Sequence, residues 1–150
     1  MAELLHFEDF AVGKSLDLGT YEVTAAEVKA FASEFDPQFF HLDEERAKSS
    51  VLGGLSASGW HTCGMLMRMI VDGCLARTAG MGSPGLDEIK WLKPVYAGET
   101  LRGRMTVLAK RQSKSRPDMG LVTMRWEAHS VEGEAKIDMT GVNLIKVRAP

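Results

Sequence analysis

The stretch from Ala57 to about Thr78 restricts the fold most, because it reads as one helix with apolar residues nearly all the way round. Trp60, Cys63, Met65, Leu66, Met67, Met69, Ile70, Val71, Cys74 and Leu75 do not keep to one stripe. A helix of that kind is one enclosed by protein. Its most apolar part, Met65 to Leu75, is interrupted by Arg68, Asp72 and Gly73 and is too short to span a bilayer. Something else in the chain, or in a partner, has to cover it on several sides.

A sheet that can do so follows. Strands are expected at Leu86–Leu92, Thr100–Gln112, Leu121–Val131 and Ala135–Val147, the last three with partial alternation of apolar and polar residues. A glycine-rich loop, Gly80 to Gly85, precedes them; Pro94–Glu99, a Lys114–Gly120 hairpin loop and a tight Glu132-Gly133 turn connect them. Upstream, Leu16, Leu18, Tyr21 and Val23 suggest a further strand. Thr24-Ala25-Ala26-Glu27 is a capping box opening a helix with Val28, Phe31 and Ala32 on one face. That helix must stop near Phe35, because the residue before Pro37 is steered away from helical geometry. Asp43 then caps a short helix. No repeat and no linker divides the chain, so residues 1–150 are expected to form one domain. The order is strand, helix, loop, long buried helix and four antiparallel strands. This is α+β, a curved antiparallel sheet wrapped around a central helix, the hot-dog architecture. The far side of the helix and an edge strand still need cover, so a homodimer is expected.

Composition narrows the classes of function. Of 150 residues, 45% are apolar and 25% charged, and 18 basic against 20 acidic residues leave a formal charge of −2. No basic run points to nucleic acid or a membrane surface. Cys63 and Cys74 would stand about 16 Å apart along a helix, too far to bridge, and read as buried free thiols in a reducing compartment. The opening Met1-Ala2-Glu3-Leu4-Leu5-His6 has neither a basic nor a long apolar region, so no signal peptide is expected, and the chain reads as cytoplasmic.

Chemistry concentrates in two places. Asp36 and His41 lie five residues apart in a Pro-containing loop with Phe35, Phe39 and Phe40 around them. A carboxylate and an imidazole brought together in a partly dry pocket can activate a water and shuttle a proton. Equally, an Asp before Pro initiates turns, and a lone His is commonly structural. The second place is Gly53-Gly54-Leu55-Ser56-Ala57-Ser58-Gly59, which leads into the long helix. A helix N-terminus offers unpaired N–H groups and partial positive charge, suited to a thioester oxygen that gains charge. Ser58 as a simple cap and the glycines as a turn account for the same residues. His61 reads as a packing or dimer-contact residue, and His6 and His129 as surface. No metal-ligand spacing is present. The nine methionines follow the apolar positions and read as core. Lys110, Arg111, Lys114 and Arg116 form a local basic group, either a solvated loop or a contact for nucleotide phosphates.

Asp36-Pro37-Gln38-Phe39-Phe40-His41-Leu42-Asp43 resembles the Asp-x-Asn-Pro-x-His motif, followed by Leu-Asp, of the MaoC-like and R-specific enoyl-CoA hydratases. Gly53-Gly54 and Ser58-Gly59 match that family's pattern at the start of the central helix. Trp91-Leu92-Lys93-Pro94-Val95-Tyr96-Ala97-Gly98-Glu99-Thr100-Leu101 is similar to its F-x-x-P-V-x-x-G-D-T-L segment. The resemblance runs from about residue 7 to 147. It implies a hydratase/dehydratase that adds water across the C2=C3 bond of an enoyl-CoA, with Asp36 as general base and His41 as partner acid/base. Gly59 N–H would polarise the thioester oxygen, with Ser58, Gln38, Phe39 and Gly54 binding substrate. No separate cofactor is implied, since CoA travels with the substrate. Gln38 stands where the family has Asn, and Phe39 where it has Pro, which bears on substrate range first. A hot-dog thioesterase and a non-catalytic acyl-CoA-binding module are the competing readings.

Overall fold

A computed structural model describes residues 2–149; the ends of the expected domain, Met1 and Pro150, lie outside them. The elements are strand β1 (Ser15–Glu22), helix α1 (Ala25–Phe35), a 3-10 turn (Phe39–His41), helix α2 (Glu44–Lys48), helix α3 (Gly59–Gly73), a second 3-10 turn (Leu75–Arg77), and strands β2 (Gly80–Trp91), β3 (Thr100–Gln112), β4 (Met119–Ser130) and β5 (Ala135–Lys146). The strands form one sheet in the order β1-β3-β4-β5-β2, each neighbouring pair antiparallel. This is the expected hot-dog arrangement, with α3 against one face of the curved sheet.

Alternation decides which face that is. Along β4 every second residue is buried, with Val122, Met124, Trp126 and Ala128 on the inner face. The register sets Trp126 between Met105 of β3 and Met139 of β5, so one continuous apolar layer crosses three strands. Onto it α3 lays Met65, Leu66, Met69 and Ile70, each no more than 3% exposed. Four such side chains, at about 2 kcal/mol each, make this the main apolar contact of the fold. Near the end of α3 the helix runs close against β1: a Cβ on Gly73 would lie 3.2 Å from the Leu18 backbone, so any side chain there would force Leu18 to shift.

Three expectations need correction. The central helix is shorter than Ala57–Thr78, because Ser56 to Ser58 are extended and Cys74 (φ −148°, ψ −61°) breaks the helix. It is not enclosed all round within the chain. His61, Thr62, Met65, Leu66, Met69 and Ile70 form one buried stripe, while Trp60, Met67, Arg68 and Asp72 face outward. Trp60 and Met67 made the helix look apolar throughout, although both sit on the exposed side. Finally, Gly80–Gly85 is the first half of β2 and not a loop: the glycines absorb register shifts along this edge strand, with Gly82 (φ 102°) and Gly85 (φ 144°) in conformations that favour glycine.

The connection from β2 to β3 matters for the site, and a buried cation holds it. Lys136 of β5 is 1% exposed; its Nζ donates to the Pro94 carbonyl (2.8 Å) and pairs with Glu134 (2.8 Å) and Glu99 (3.1 Å). Burial works against its charge, but the two carboxylates outweigh that and hold the ammonium above its usual range. Glu99 in turn accepts from the Tyr96 N–H at 2.7 Å. Lys136→Met keeps the volume but leaves half-buried Glu99 without its counter-charge and the Pro94 carbonyl without its donor. It is expected to lower stability by about 3 kcal/mol in denaturant unfolding.

Candidate active site

The Asp36–His41 loop is fixed at both ends by capping. The Thr24 hydroxyl accepts from Glu27 N–H and starts α1, whose last turn ends at Asp36 as the Pro37 ring requires. Asp43 accepts from Arg46 N–H at 3.0 Å and starts α2. Between them the 3-10 turn drives His41 inward until it is 6% exposed.

There the ring meets the segment leading to α3. His41 Nδ1 lies 2.6 Å from the Ser56 carbonyl. A carbonyl only accepts, so Nδ1 carries a hydrogen, and in the neutral ring Nε2 presents its lone pair. Nε2 faces Asp36 Oδ2 at 3.4 Å, while Asp36 Oδ1 accepts from Gln38 Nε2 at 2.7 Å. Burial pushes the Asp36 carboxyl upward. The bond from Gln38, the nearby Ser58 hydroxyl and the charge His41 can carry outweigh it and leave the group below its usual range. Asp36 is therefore an anion, with Oδ2 turned toward His41 Nε2.

Beside this pair is a cavity of about 460 Å³, lined by Phe40, His41, Ser56, Thr62, Trp91 and Val95 among others, with Leu92 and Lys93 also contributing. Gly59 lines it too, at the first turn of α3, where main-chain N–H groups lack partners inside the helix. Trp91 explains why this residue is glycine. Its indole Nε1 donates to the Gly59 carbonyl at 3.0 Å, and a Cβ on Gly59 would come within 2.6 Å of the ring.

The residues singled out from sequence fall into two groups. Asp36, Gln38, His41, Ser58 and Gly59 are brought together. Ser58 is fully buried at the N-cap position, yet its hydroxyl does not cap α3 and makes no close hydrogen bond; it lies near enough to Asp36 to help hold the carboxyl down. Phe39 and Gly54 are placed elsewhere. The Phe39 ring lies under the Arg46 guanidinium at 4.5 Å, and Gly54 lines a separate depression beside Tyr96. Of the three expected rings, only Phe40 reaches the cavity; Phe35 is 67% exposed. His61 is buried, as its packing role suggested, with Nε2 at 2.9 Å from Glu27 and its ring stacked on Phe31. His6 and His129 are half-buried. Of the two free thiols, Cys74 is buried and Cys63 only half so. In the basic group, Lys110 lies over the Phe7 ring and Arg116 pairs with Asp118. Among the described residues, no helix is long and apolar enough to cross a membrane.

Ser56 and Trp91 are the site residues that sequence reasoning missed. Ser56 carries a signal, since it is two residues from Ser58 in an extended segment, which turns both side chains to one side. Trp91 gives none, because its indole reaches the helix from a distant strand.

The MaoC-like domain model matches residues 9–127. The chain belongs to the MaoC-like family. A MaoC-like dehydratase from Rhodospirillum rubrum is 42% identical, covers 97% of this chain and 99% of its own, and superposes with a TM-score of 0.87. The Bacillus subtilis protein YdeM is 25% identical over 120 residues, 80% of this chain and 84% of its own. An (R)-hydratase from A. caviae shares the fold at 20% identity, with a TM-score of 0.74 over 94% of this chain and 99% of its own.

The depressed Asp36 carboxyl makes a pH prediction for this MaoC-like chain. A carboxylate held below its ordinary value contributes stability that is present above the unfolded value, 3.8, and is lost as pH falls through the folded one. Asp36→Asn should therefore flatten the decline in melting temperature below that pH, leaving the rest of the acid limb intact.

Proposed function

We propose that the chain is an acyl-CoA hydratase/dehydratase, adding water reversibly across the C2=C3 bond of a 2-enoyl-CoA. The observation that carries this reading is the approach of Asp36 Oδ2 to His41 Nε2 at 3.4 Å; in the neutral ring with Nδ1 protonated, both atoms are acceptors. Water, with two O–H donors, satisfies both at once. Its oxygen bonds to C3 while Asp36, as general base, takes a proton; a proton passes to C2, so the pair ends as it began. His41 shares the charge and completes the transfer. The first-turn N–H of Gly59 faces the thioester oxygen as it gains enolate character. In reverse the same groups dehydrate a 3-hydroxyacyl-CoA. The apolar wall from Phe40, Trp91 and Val95 takes the acyl chain, and no separate cofactor is required. The free thiols Cys63 and Cys74 suit a cytoplasmic setting.

Two copies of the chain are proposed to assemble through the outward side of α3 and edge strand β2, where Trp60, Met67, Trp91 and Leu92 are between 45% and 61% exposed. Light scattering should give twice the monomer mass.

The test is purified protein with crotonyl-CoA and longer or branched enoyl-CoAs. Loss of enoyl absorbance without release of thiol is the expected result. Thiol release identifies a thioesterase, and no turnover of any member identifies a binding module. Asp36→Asn and His41→Ala should each lower hydration at least about 100-fold, a loss far larger than their modest lowering of the neutral-pH melting temperature accounts for, with both variants still folded at the assay temperature. Near-normal turnover in either variant would sink the assignment.

A further inference from the structure

One polar group in the cavity wall has no use in the mechanism above. Ser56 is 1% exposed and lines the cavity beside His41, and its hydroxyl makes no hydrogen bond within the chain. Thr62, in the same wall, is different: its hydroxyl is engaged with the Ser58 carbonyl at 3.3 Å. A buried hydroxyl that is unpaired within the chain calls for a ligand, because burying it unpaired opposes folding. Ser56 is also the residue whose carbonyl holds His41 Nδ1 at 2.6 Å. The imidazole and this hydroxyl are thus set by a single residue.

The chemistry of the bound water points to what the hydroxyl meets. A water that donates both hydrogens to Asp36 and His41 has two lone pairs left. One attacks C3, and the other is free to accept a hydrogen bond. The thioester oxygen, by contrast, has its donor in the N–H of Gly59, three residues further on at the helix start. We propose that the Ser56 hydroxyl donates to the oxygen bound at C3, the incoming water in one direction and the 3-hydroxyl in the other. The cavity is thereby selective for 3-oxygenated acyl thioesters over saturated ones. Ser56 keeps its proton throughout: the water oxygen bonds to C3, the proton it loses goes to Asp36, and C2 gains one. This inference rests on the hydration reading of the Asp36–His41 pair.

The test compares wild type with Ser56→Ala, Ser56→Gly and the conservative Ser56→Thr. Kinetics on crotonyl-CoA are measured together with calorimetric titration of 3-hydroxybutyryl-CoA and butyryl-CoA. Loss of the hydroxyl should lower kcat about 10- to 100-fold with KM little changed, and should weaken 3-hydroxybutyryl-CoA by a similar factor. Butyryl-CoA, which has no oxygen at C3, should bind all variants alike, and Ser56→Thr should recover much of the loss. Unchanged kinetics and unchanged selectivity in both deletion variants, in a wild type that hydrates crotonyl-CoA, overturn the role of Ser56 alone. Equal weakening of both ligands makes Ser56 a merely structural residue and also overturns it. A wild type that hydrates no enoyl-CoA overturns the hydration reading and this inference with it.

Discussion

The burial of one stripe of α3 against the concave sheet decides where every other part of the molecule can go. Met65, Leu66, Met69 and Ile70 meet Met105, Trp126 and Met139, and the helix can neither rotate nor slide without losing that layer. Gly73 against Leu18 fixes the far end. With axis and rotation set, the N-terminus of α3 has a single position, and Gly59 in its first turn lines the cavity. In the proposed reaction, the donor that a developing oxyanion needs is thus a by-product of core packing.

From that point the site is assembled by main-chain groups more than by side chains. Ser56 N–H donates to the Phe40 carbonyl at 3.3 Å, Ala57 N–H to the Val95 carbonyl at 2.8 Å, and the Ser56 carbonyl accepts from His41 Nδ1. The Asp36–His41 loop, the segment before α3 and the β2–β3 connection are therefore stitched together at one place. Lys136 secures the last of these through Pro94 and Glu99. An imidazole held through one nitrogen by a backbone carbonyl cannot flip to its other tautomer without losing that bond, so its second nitrogen remains an acceptor when neutral.

What was legible in the sequence follows from the range of each interaction. The strands of the hairpin region, the capped start of α1 and the stop before Pro37 are written in local pattern, and all appear within a few residues of where they were expected. The Asp36–His41 pairing was legible because both residues belong to one short loop with caps at either end. Trp60 and Met67 misled because periodicity shows which residues are apolar, not which side the sheet occupies. The glycines from Gly80 to Gly85 misled for a related reason: an edge strand that takes up register shifts looks like a loop until its partner, β5, is in place. Phe39 and Gly54 were drawn toward the site by the family resemblance. In the folded chain the Arg46 guanidinium claims the first and the Tyr96 ring the second.

Gln38 shows how a departure from a motif can leave the Asp36–His41 pair in place. Its side chain is one methylene longer than asparagine and reaches Asp36 Oδ1 at 2.7 Å from an exposed position. That bond occupies one carboxylate oxygen and turns the other, Oδ2, toward His41. It also opposes the rise in basicity that burial would bring, so Asp36 stays ionised and ready to accept. A stronger base would sit nearer neutrality and spend part of its time protonated; a base held low is always available but pulls more weakly on a proton. The weaker pull is offset if the water is already held by His41 and, as inferred above, by Ser56. In the proposed hydration the burden then falls on orientation, which rigid backbone contacts around Ser56 are well placed to supply.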